Sequence, residues 1–366
     1  MEKLSDELRI EILYRLPIKS LACLKCVSKS WLSLISDPNF TKLHFQRSPQ
    51  NYTYRFPYRV RAEHDRNSYQ QMRAIDLNAS LCDDSADITF NNFPSGYDEI
   101  LASCRGFLLL QHNKIDKLLV WNPTTSEQKQ ILLPRKYSFE LHGFCYDEST
   151  DDYLIALATK INLDMVLGFR VFSVRTNSWK KEIAFNCGEI IRSRFPGLLA
   201  GVAVNGVIYW LVYFYKKEAR RNATKIIAFD IKANNVSEVV PKHDNIIINL
   251  TLCDLRTFGE SLALFDFKGF KEIEVWEMKE DGVRSSWTKL MSIPSCAIRL
   301  RAYFSPLCLT KDGKLVTLDN PSTLSKWSEQ GKEEEVRKCN GYDLVYESFA
   351  ATPVYTETLL SLPSTQ

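Results

Sequence analysis

The chain has almost no net charge. Its 47 lysines and arginines face 44 aspartates and glutamates, leaving +3 over 366 residues. So even a balance argues against a general role on nucleic acid or on a membrane surface. Histidine is scarce, five in all and widely separated. Ten cysteines run from Cys23 to Cys339 without regular spacing, which excludes a dense disulfide scaffold. They read as mostly buried thiols in a reducing compartment, and acceptor patterns such as Asn51-Tyr-Thr and Asn222-Ala-Thr then carry no meaning. The opening "MEKLSDELRI" is charged and lacks an apolar core, so no signal peptide is expected, and the location is expected to be cytoplasm, nucleus or both. There is no GxSxG elbow, no glycine loop to cradle phosphate and no HExxH. No catalytic residue, cofactor or metal is therefore expected.

One uncharged run stands out. "FPGLLAGVAVNGVIYWLVYFY", residues 195–215, carries no charge over 21 positions, long enough to cross a bilayer as a helix. The rival reading, and the preferred one, is a β-hairpin. Asn205-Gly206 sits midway and suits a tight type I′ turn, and the flanks "GVAV" and "VIYWLVYF" are β-branched and aromatic.

The first forty residues have helical spacing. Ser5 suits an N-cap, and Asp6 and Glu7 place negative charge at the positive end of the helix dipole. Leu8, Ile12 and Leu16 follow at steps of four, while Ile10 and Leu13 fall well round the cylinder. Pro17 ends this helix or begins the next. Leu21, Leu24 and Val27 mark a second, and Trp31, Leu34 and Ile35 a third, which Asp37-Pro38 stops. Three short helices cannot cover this much apolar surface by themselves. The excess packs either on the remainder of the chain or on a partner, and pattern alone leaves both open. Cys23-Leu-Lys-Cys26 lacks the second pair that a structural zinc site requires.

The segment "LSDELRIEILYRLPIKSLACLKCVSKSWLSLISDPNF" resembles an F-box. The shared features are an acidic start, "EILYRLPIKSL" and the closing "CVSKSWLSLISDPNF"; Ser5 departs from the proline found in many members. The resemblance implies docking onto the SKP-type adaptor of a cullin–RING ubiquitin ligase, with the spare apolar surface belonging to that adaptor. The residues it nominates are Leu8, Ile12, Leu16, Pro17, Leu21, Val27, Trp31 and Ile35, some of which must instead hold the helices together.

The rest of the chain repeats. A strand ending in a large apolar residue before a polar turn recurs at Ile75, Trp121, Phe172, Phe229, Trp276 and Trp327, at steps of 46, 51, 57, 47 and 51 residues. Upstream strands enter through glycine turns, as in "CRGFLLL", "VNGVIYWL" and "KDGKLVTL". Downstream polar strands carry Trp179 and Trp287. A period near fifty with several strands per unit predicts a kelch-type β-propeller of six blades. The tail "YESFAATPVYTETLLSL" reads as two strands that pair with the segment around Tyr52 to Leu77 and close the ring.

The expected fold is therefore α+β and multidomain: a three-helix head over residues 1–45 and an all-β propeller over 46–366. This order resembles plant F-box proteins with a type 1 F-box-associated domain, although the paired glycines of typical kelch motifs are missing. Relatives of that kind include S-locus-type and defence-related proteins. The resemblance implies a non-catalytic substrate receptor of an SCF ligase, with a protein target and neither nucleic acid nor membrane as partner. Two other readings stay open: a propeller enzyme with the head as a lid, and a scaffold that docks but delivers nothing. The acidic "YDESTDDY", with Asp147, Glu148, Asp151 and Asp152, reads as a solvated turn, and "KEEEVRK" (332–338) as a charged outer strand. In "YKKEARRNATK", Lys216, Lys217, Arg220 and Arg221 crowd a hairpin tip that would suit an acidic target.

Overall fold

The computed structural model describes residues 5–364 except 48–53, 63–64, 84, 86, 91, 135–138, 162–165, 188–189, 193–198, 217–220, 240–252, 259–260, 269–271, 279–286, 295–304, 321–322 and 339–352. Four helices come first: α1 (Asp6–Tyr14), α2 (Ile18–Leu24), α3 (Lys29–Ile35) and α4 (Pro38–Arg47). Short polar side chains start three of them. Ser5 Oγ accepts from Leu8 N at 3.4 Å, and Ser28 Oγ accepts from Trp31 N at 3.2 Å. Asp37 Oδ1 accepts from Asn39 N at 2.9 Å and Phe40 N at 3.0 Å. Each bond satisfies an N–H that the first helical turn leaves without a partner. The last of them corrects the expectation of three helices. Asp37-Pro38 stops α3 but also starts α4, because proline has no N–H to lose at the first helical position.

The head has its own core. Leu13, Tyr14, Leu21, Ile35 and Phe40 are buried together, with Tyr14 stacked on Phe40 at 5.1 Å between ring centroids. Buried His44 on α4 donates from Nε2 to Leu16 O at 2.9 Å, and Arg47 reaches Glu11 on α1 at 2.7 Å.

Most of the remaining strands form six antiparallel meanders; in addition Ile183–Asn186 pairs with Val166–Ser173, Ile190–Arg192 pairs with Val207–Lys216, and Leu199–Ala200 runs parallel to Leu141–Asp147. Blade 2 is Tyr97–Cys104, Phe107–His112, Lys117–Trp121 and Gln128–Leu132; blade 3 is Leu141–Asp147, Asp152–Ile161, Val166–Ser173 and Ser178–Trp179. Blade 4 is Val202–Val204, Val207–Lys216, Arg221–Asp230 and Asn235–Val239; blade 5 is Cys253–Phe258, Ser261–Lys268, Glu272–Met278 and Trp287–Pro294. Blade 6 is Ser305–Leu309, Leu315–Asn320, Thr323–Trp327 and Glu333–Lys338. Blade 1 takes Tyr54–Ala62, Asp65–Asp76 and Asp87–Thr89 from the start of the body. Its first strand, Tyr355–Thr356, comes from the far end of the chain and pairs with Tyr54 and Arg55. That closes the ring as the tail's pattern predicts, with one described strand rather than two. The charged segment at 332–338 supplies the exposed fourth strand of blade 6.

The core lies between the blades. Six apolar clusters fill six seams, one for each pair of neighbours. Because successive side chains of a strand point to opposite faces, one strand feeds two seams. Phe107 and Leu109 enter the seam between blades 2 and 3, while Leu108 and Leu110 enter the seam between 1 and 2. Buried on both faces, such strands read as continuous apolar runs. The fifty-residue period then has a physical meaning. Every repeat residue lies on the third strand of its blade and fills the seam to the preceding blade: Ile75 faces blade 6, and Trp121, Phe172, Phe229, Trp276 and Trp327 face blades 1 to 5 in turn.

Turns follow the sequence too. Arg105-Gly106 and Asn205-Gly206 join first to second strands, with φ of 47° and 88°, and of 48° and 79°. Positive φ at both central residues is the type I′ geometry. Val202–Val204 pairs with Val207–Lys216 across the second of these turns, so the uncharged run contains a hairpin; residues 195–198 lie outside the described ones. Among the described residues no helix is long and apolar enough to cross a membrane.

Candidate functional site

The head presents two apolar stripes. On α1 the inward stripe is Leu13 and Tyr14, with Ile10 half-buried. The outward stripe is Leu8 and Ile12, which remain 55% and 50% exposed. Val27, after α2, is 65% exposed, and Leu32 on α3 is 48%. Pro17 is also exposed, while Leu16 and Trp31 are half-buried against the head's core. Leu21 and Ile35, nominated for docking, are fully buried in that core. Their spacing matched the outward residues, but they point inward, and a partner would have to unfold the head to reach them. Leu32 and Leu43 are exposed residues that the sequence reading passed over; helical spacing anchored on Trp31 selects positions 34 and 35 and skips 32. Among the described residues nine large apolar side chains are exposed, and five of them lie on the head. The spare surface is therefore concentrated at one end of the molecule.

Where the head meets the ring follows from topology. Turns between first and second strands, and between third and fourth, share one rim of a propeller; the remaining connections share the other. The head sits on the first rim, over blades 2 and 3. Lys42 on α4 donates to Asp151 Oδ2 at 2.7 Å, in the first turn of blade 3. Phe45 lies over the Arg105 guanidinium at 4.8 Å, and Arg105 lies over Tyr146 at 3.9 Å, a cation held between two rings. Asp151 also accepts from Tyr146 and from Arg175 Nη2, the latter at 2.7 Å. Partial burial pushes the Asp151 carboxyl up, but the hydrogen bonds from Lys42, Tyr146 and Arg175 outweigh it and bring the pKa down to about 2. Burial, with the same bond to Asp151, raises the Tyr146 phenol to about 12.

The acidic turn is thus only partly a solvated one. Asp147 caps its own turn through Ser149 and Thr150, whereas Asp152 is buried and accepts from Ser173 and Arg175. His142 is structural: fully buried, it donates from Nε2 to Leu101 O at 2.8 Å and ties the first strands of blades 2 and 3 together. Burial lowers its pKa to about 4 against the opposing effect of that bond, so it is neutral. The expectation of mostly buried thiols fits Cys145, Cys187 and Cys308, and fails for Cys23, Cys26 and Cys82, which are exposed.

The strands on either side of the basic stretch end at the other rim. Val207–Lys216 and Arg221–Asp230 are second and third strands of blade 4, paired out to Lys216 and Arg221. That last pair, Lys216 and Arg221, lies at the rim away from the head. Lys217 and Arg220 lie outside the described residues.

Comparison with known proteins agrees with both parts. The F-box domain model matches residues 1–43, and the F-box associated beta propeller domain model matches residues 70–347. An F-box/kelch-repeat protein of Arabidopsis thaliana is 25% identical over 335 residues, covering 88% of this chain and 86% of its own. The Arabidopsis F-box protein CPR1 is 26% identical over 345 residues, covering 87% and 79%. Among solved structures, a luciferin-regenerating enzyme overlaps 72% of this chain and 92% of its own at a TM-score of 0.40 and 10% identity, too weak a likeness to bear on function. A four-helix head with apolar surface to spare, seated on a six-bladed ring and matched over most of its length, makes this chain a member of the F-box proteins with an F-box-associated β-propeller domain.

Proposed function

We propose that the protein is the substrate receptor of an SCF-type ubiquitin ligase. The head docks on an SKP-type adaptor, and the ring holds the protein to be ubiquitinated. The observation that carries this reading is the outward stripe of Leu8 and Ile12 with Val27 and Leu32: aliphatic side chains exposed beside a head core that is already filled. Covering what remains exposed of four such side chains gains roughly 3–6 kcal/mol, a useful share of a specific interface. The ring supplies position rather than a nucleophile. Holding a target lysine near the thioester of a conjugating enzyme turns a bimolecular encounter into an intramolecular one.

The rim away from the head is the proposed target side, with Lys216, Lys217, Arg220 and Arg221 reading an acidic stretch of the target. Loops on a rigid scaffold are where recognition concentrates. Reversing those four charges without loss of target binding would remove this detail. The same reading places the protein in the cytoplasm, the nucleus or both, which a fluorescent fusion would locate.

The deciding experiment is a pull-down with an SKP-type adaptor. The double variant Leu8→Asp, Ile12→Asp is expected to lose the adaptor and to keep its melting temperature, because both side chains already face solvent. Unchanged capture by that variant would end the docking assignment. Trp31→Ala is a poorer test, since Trp31 packs on the head's core and its loss destabilises the head directly.

A further inference from the structure

The head's core contains one buried residue that does not belong to the head. Leu359, more than three hundred positions downstream of Ile35, is buried with Leu13, Tyr14, Leu21, Ile35 and Phe40. Its neighbour Leu360 is buried on the other side, in the seam between blades 2 and 3, with Leu362 and Phe45 packed against the same cluster. An extended segment points alternate side chains to opposite faces. This one lies between head and ring and completes both.

The segment is fixed along its length. Ser103 Oγ donates to Val354 O at 2.6 Å. Tyr355 and Thr356 form the ring-closing strand on Tyr54 and Arg55. Glu357 Oε1 accepts from Arg55 Nε at 2.9 Å in a mostly buried ion pair. Leu362 N donates to Glu127 Oε1 at 2.9 Å. At the centre, fully buried Asn122 donates from Nδ2 to Thr358 O at 3.2 Å and to Leu360 O at 3.1 Å, the two carbonyls that flank Leu359.

Asn122 is set apart by comparison within the chain. It follows the repeat residue Trp121; the equivalents elsewhere are Asp76, Ser173, Asp230, Glu277 and Ser328. In the five blades whose following turn is described, this side chain accepts a hydrogen bond from a backbone N–H of that turn: Asp76 from Asn78, Asn122 from Thr124, Ser173 from Thr176, Asp230 from Ala233 and Ser328 from Lys332; the turn after Glu277 lies outside the described residues. An acceptor is all that job requires. Only at 122 is the residue an amide, which adds two donors to the acceptor. Both are spent on the segment that carries Leu359.

We propose that residues 354–362 are a latch that couples closure of the ring to completion of the head's core, so that the head is competent to dock only in a ring-closed chain. The docking half of this statement rests on the function proposed above. Coupling of this kind is reciprocal, so adaptor binding also stabilises ring closure.

The test uses Asn122→Asp in the full chain, measured by hydrogen exchange and by titration with an SKP-type adaptor. The aspartate keeps the acceptor for Thr124 N but loses both donors and sets a carboxylate oxygen against Thr358 O and Leu360 O. Exchange in α1 to α4 and in residues 354–362 is expected to rise roughly tenfold, while blades 4 to 6 keep their protection, and adaptor affinity is expected to fall roughly fivefold or more. Leu359→Asn, which leaves Asn122 intact and spoils the head's core directly, is expected to give the same pattern in α1 to α4. Wild-type exchange in the head of both variants would overturn the latch, and so would a loss of protection spread evenly over all six blades. Faster exchange in the head with undiminished adaptor affinity would overturn the link to docking. If the unaltered chain fails to bind the adaptor, the docking assignment fails by itself, and the exchange data still decide the latch.

Discussion

Two glycines allow the seat of the C-terminal segment to be weighed. Gly106 and Gly206 occupy the same place in their blades, the second residue of the turn between first and second strands, with φ of 88° and 79°. Alanine at either site pays for a left-handed backbone, about 1–2 kcal/mol. Their surroundings differ. A Cβ on Gly206 would meet nothing within 4 Å. A Cβ on Gly106 would lie 2.1 Å from Thr358 Cγ2 and 2.7 Å from both Thr356 O and Thr358 Cβ. Thr358 is buried and cannot swing clear, because its carbonyl is held by Asn122 and its Oγ1 accepts from Leu360 N. Overpacking of this sort adds about 1–3 kcal/mol. Gly106→Ala is therefore expected to cost about 2–5 kcal/mol, and Gly206→Ala only the backbone part. In a domain of this size each kcal/mol moves a melting midpoint by about 2 °C, so the first transition of Gly106→Ala should fall roughly 2–6 °C below that of Gly206→Ala. Differential scanning calorimetry of the two proteins side by side makes the comparison. Equal losses would refute the close packing of Thr358 on the turn of blade 2.

Two further predictions concern the seams. His142 is neutral in the folded chain because burial lowers its pKa from 6.5 to about 4. The unfolded chain takes up a proton below 6.5, so this site's contribution is complete above that pH and declines by roughly 3 kcal/mol as pH falls from 6.5 to 4. Urea unfolding at stepped pH should show this slope and a shallower one for His142→Gln; matching slopes would count against it. Trp327 fills the seam between blades 5 and 6 and donates from Nε1 to buried Thr317 Oγ1 at 2.7 Å. Trp327→Phe should keep the ring but lose about 1–3 kcal/mol, read as a lower denaturant midpoint, and an unchanged midpoint would show that this bond adds nothing.

Much of the fold was legible because its signals are local or periodic. Positive φ at Asn205 and Gly206 is a two-residue signal. The large residues at Ile75, Trp121 and their successors recur because each plugs an equivalent seam, so a period along the chain reports a symmetry in space. The cap at Ser5 acts within three residues. What was not legible depends on contacts between distant segments. Nothing near Leu21 or Ile35 distinguishes them from Leu8 and Ile12; all four are aliphatic residues at helical spacing, and only the packing of α4 and Leu359 decides which face turns inward. Asp151 looked solvated because its partner Lys42 lies more than a hundred residues upstream. The amide in "WNPTT" was the one local trace of the latch, visible only when Asn122 is set beside its five counterparts.

The position of Leu359 also bears on how the protein is made. The helices leave the ribosome first, yet the side chain that finishes their core is added more than three hundred residues later. At about 5–20 residues per second, that delay is on the order of 15–65 s. During that time the nascent head has a gap where Leu359 will sit, and its exposed leucines can attract chaperones before any permanent partner. A chain cut short by a premature stop codon would keep that gap for good.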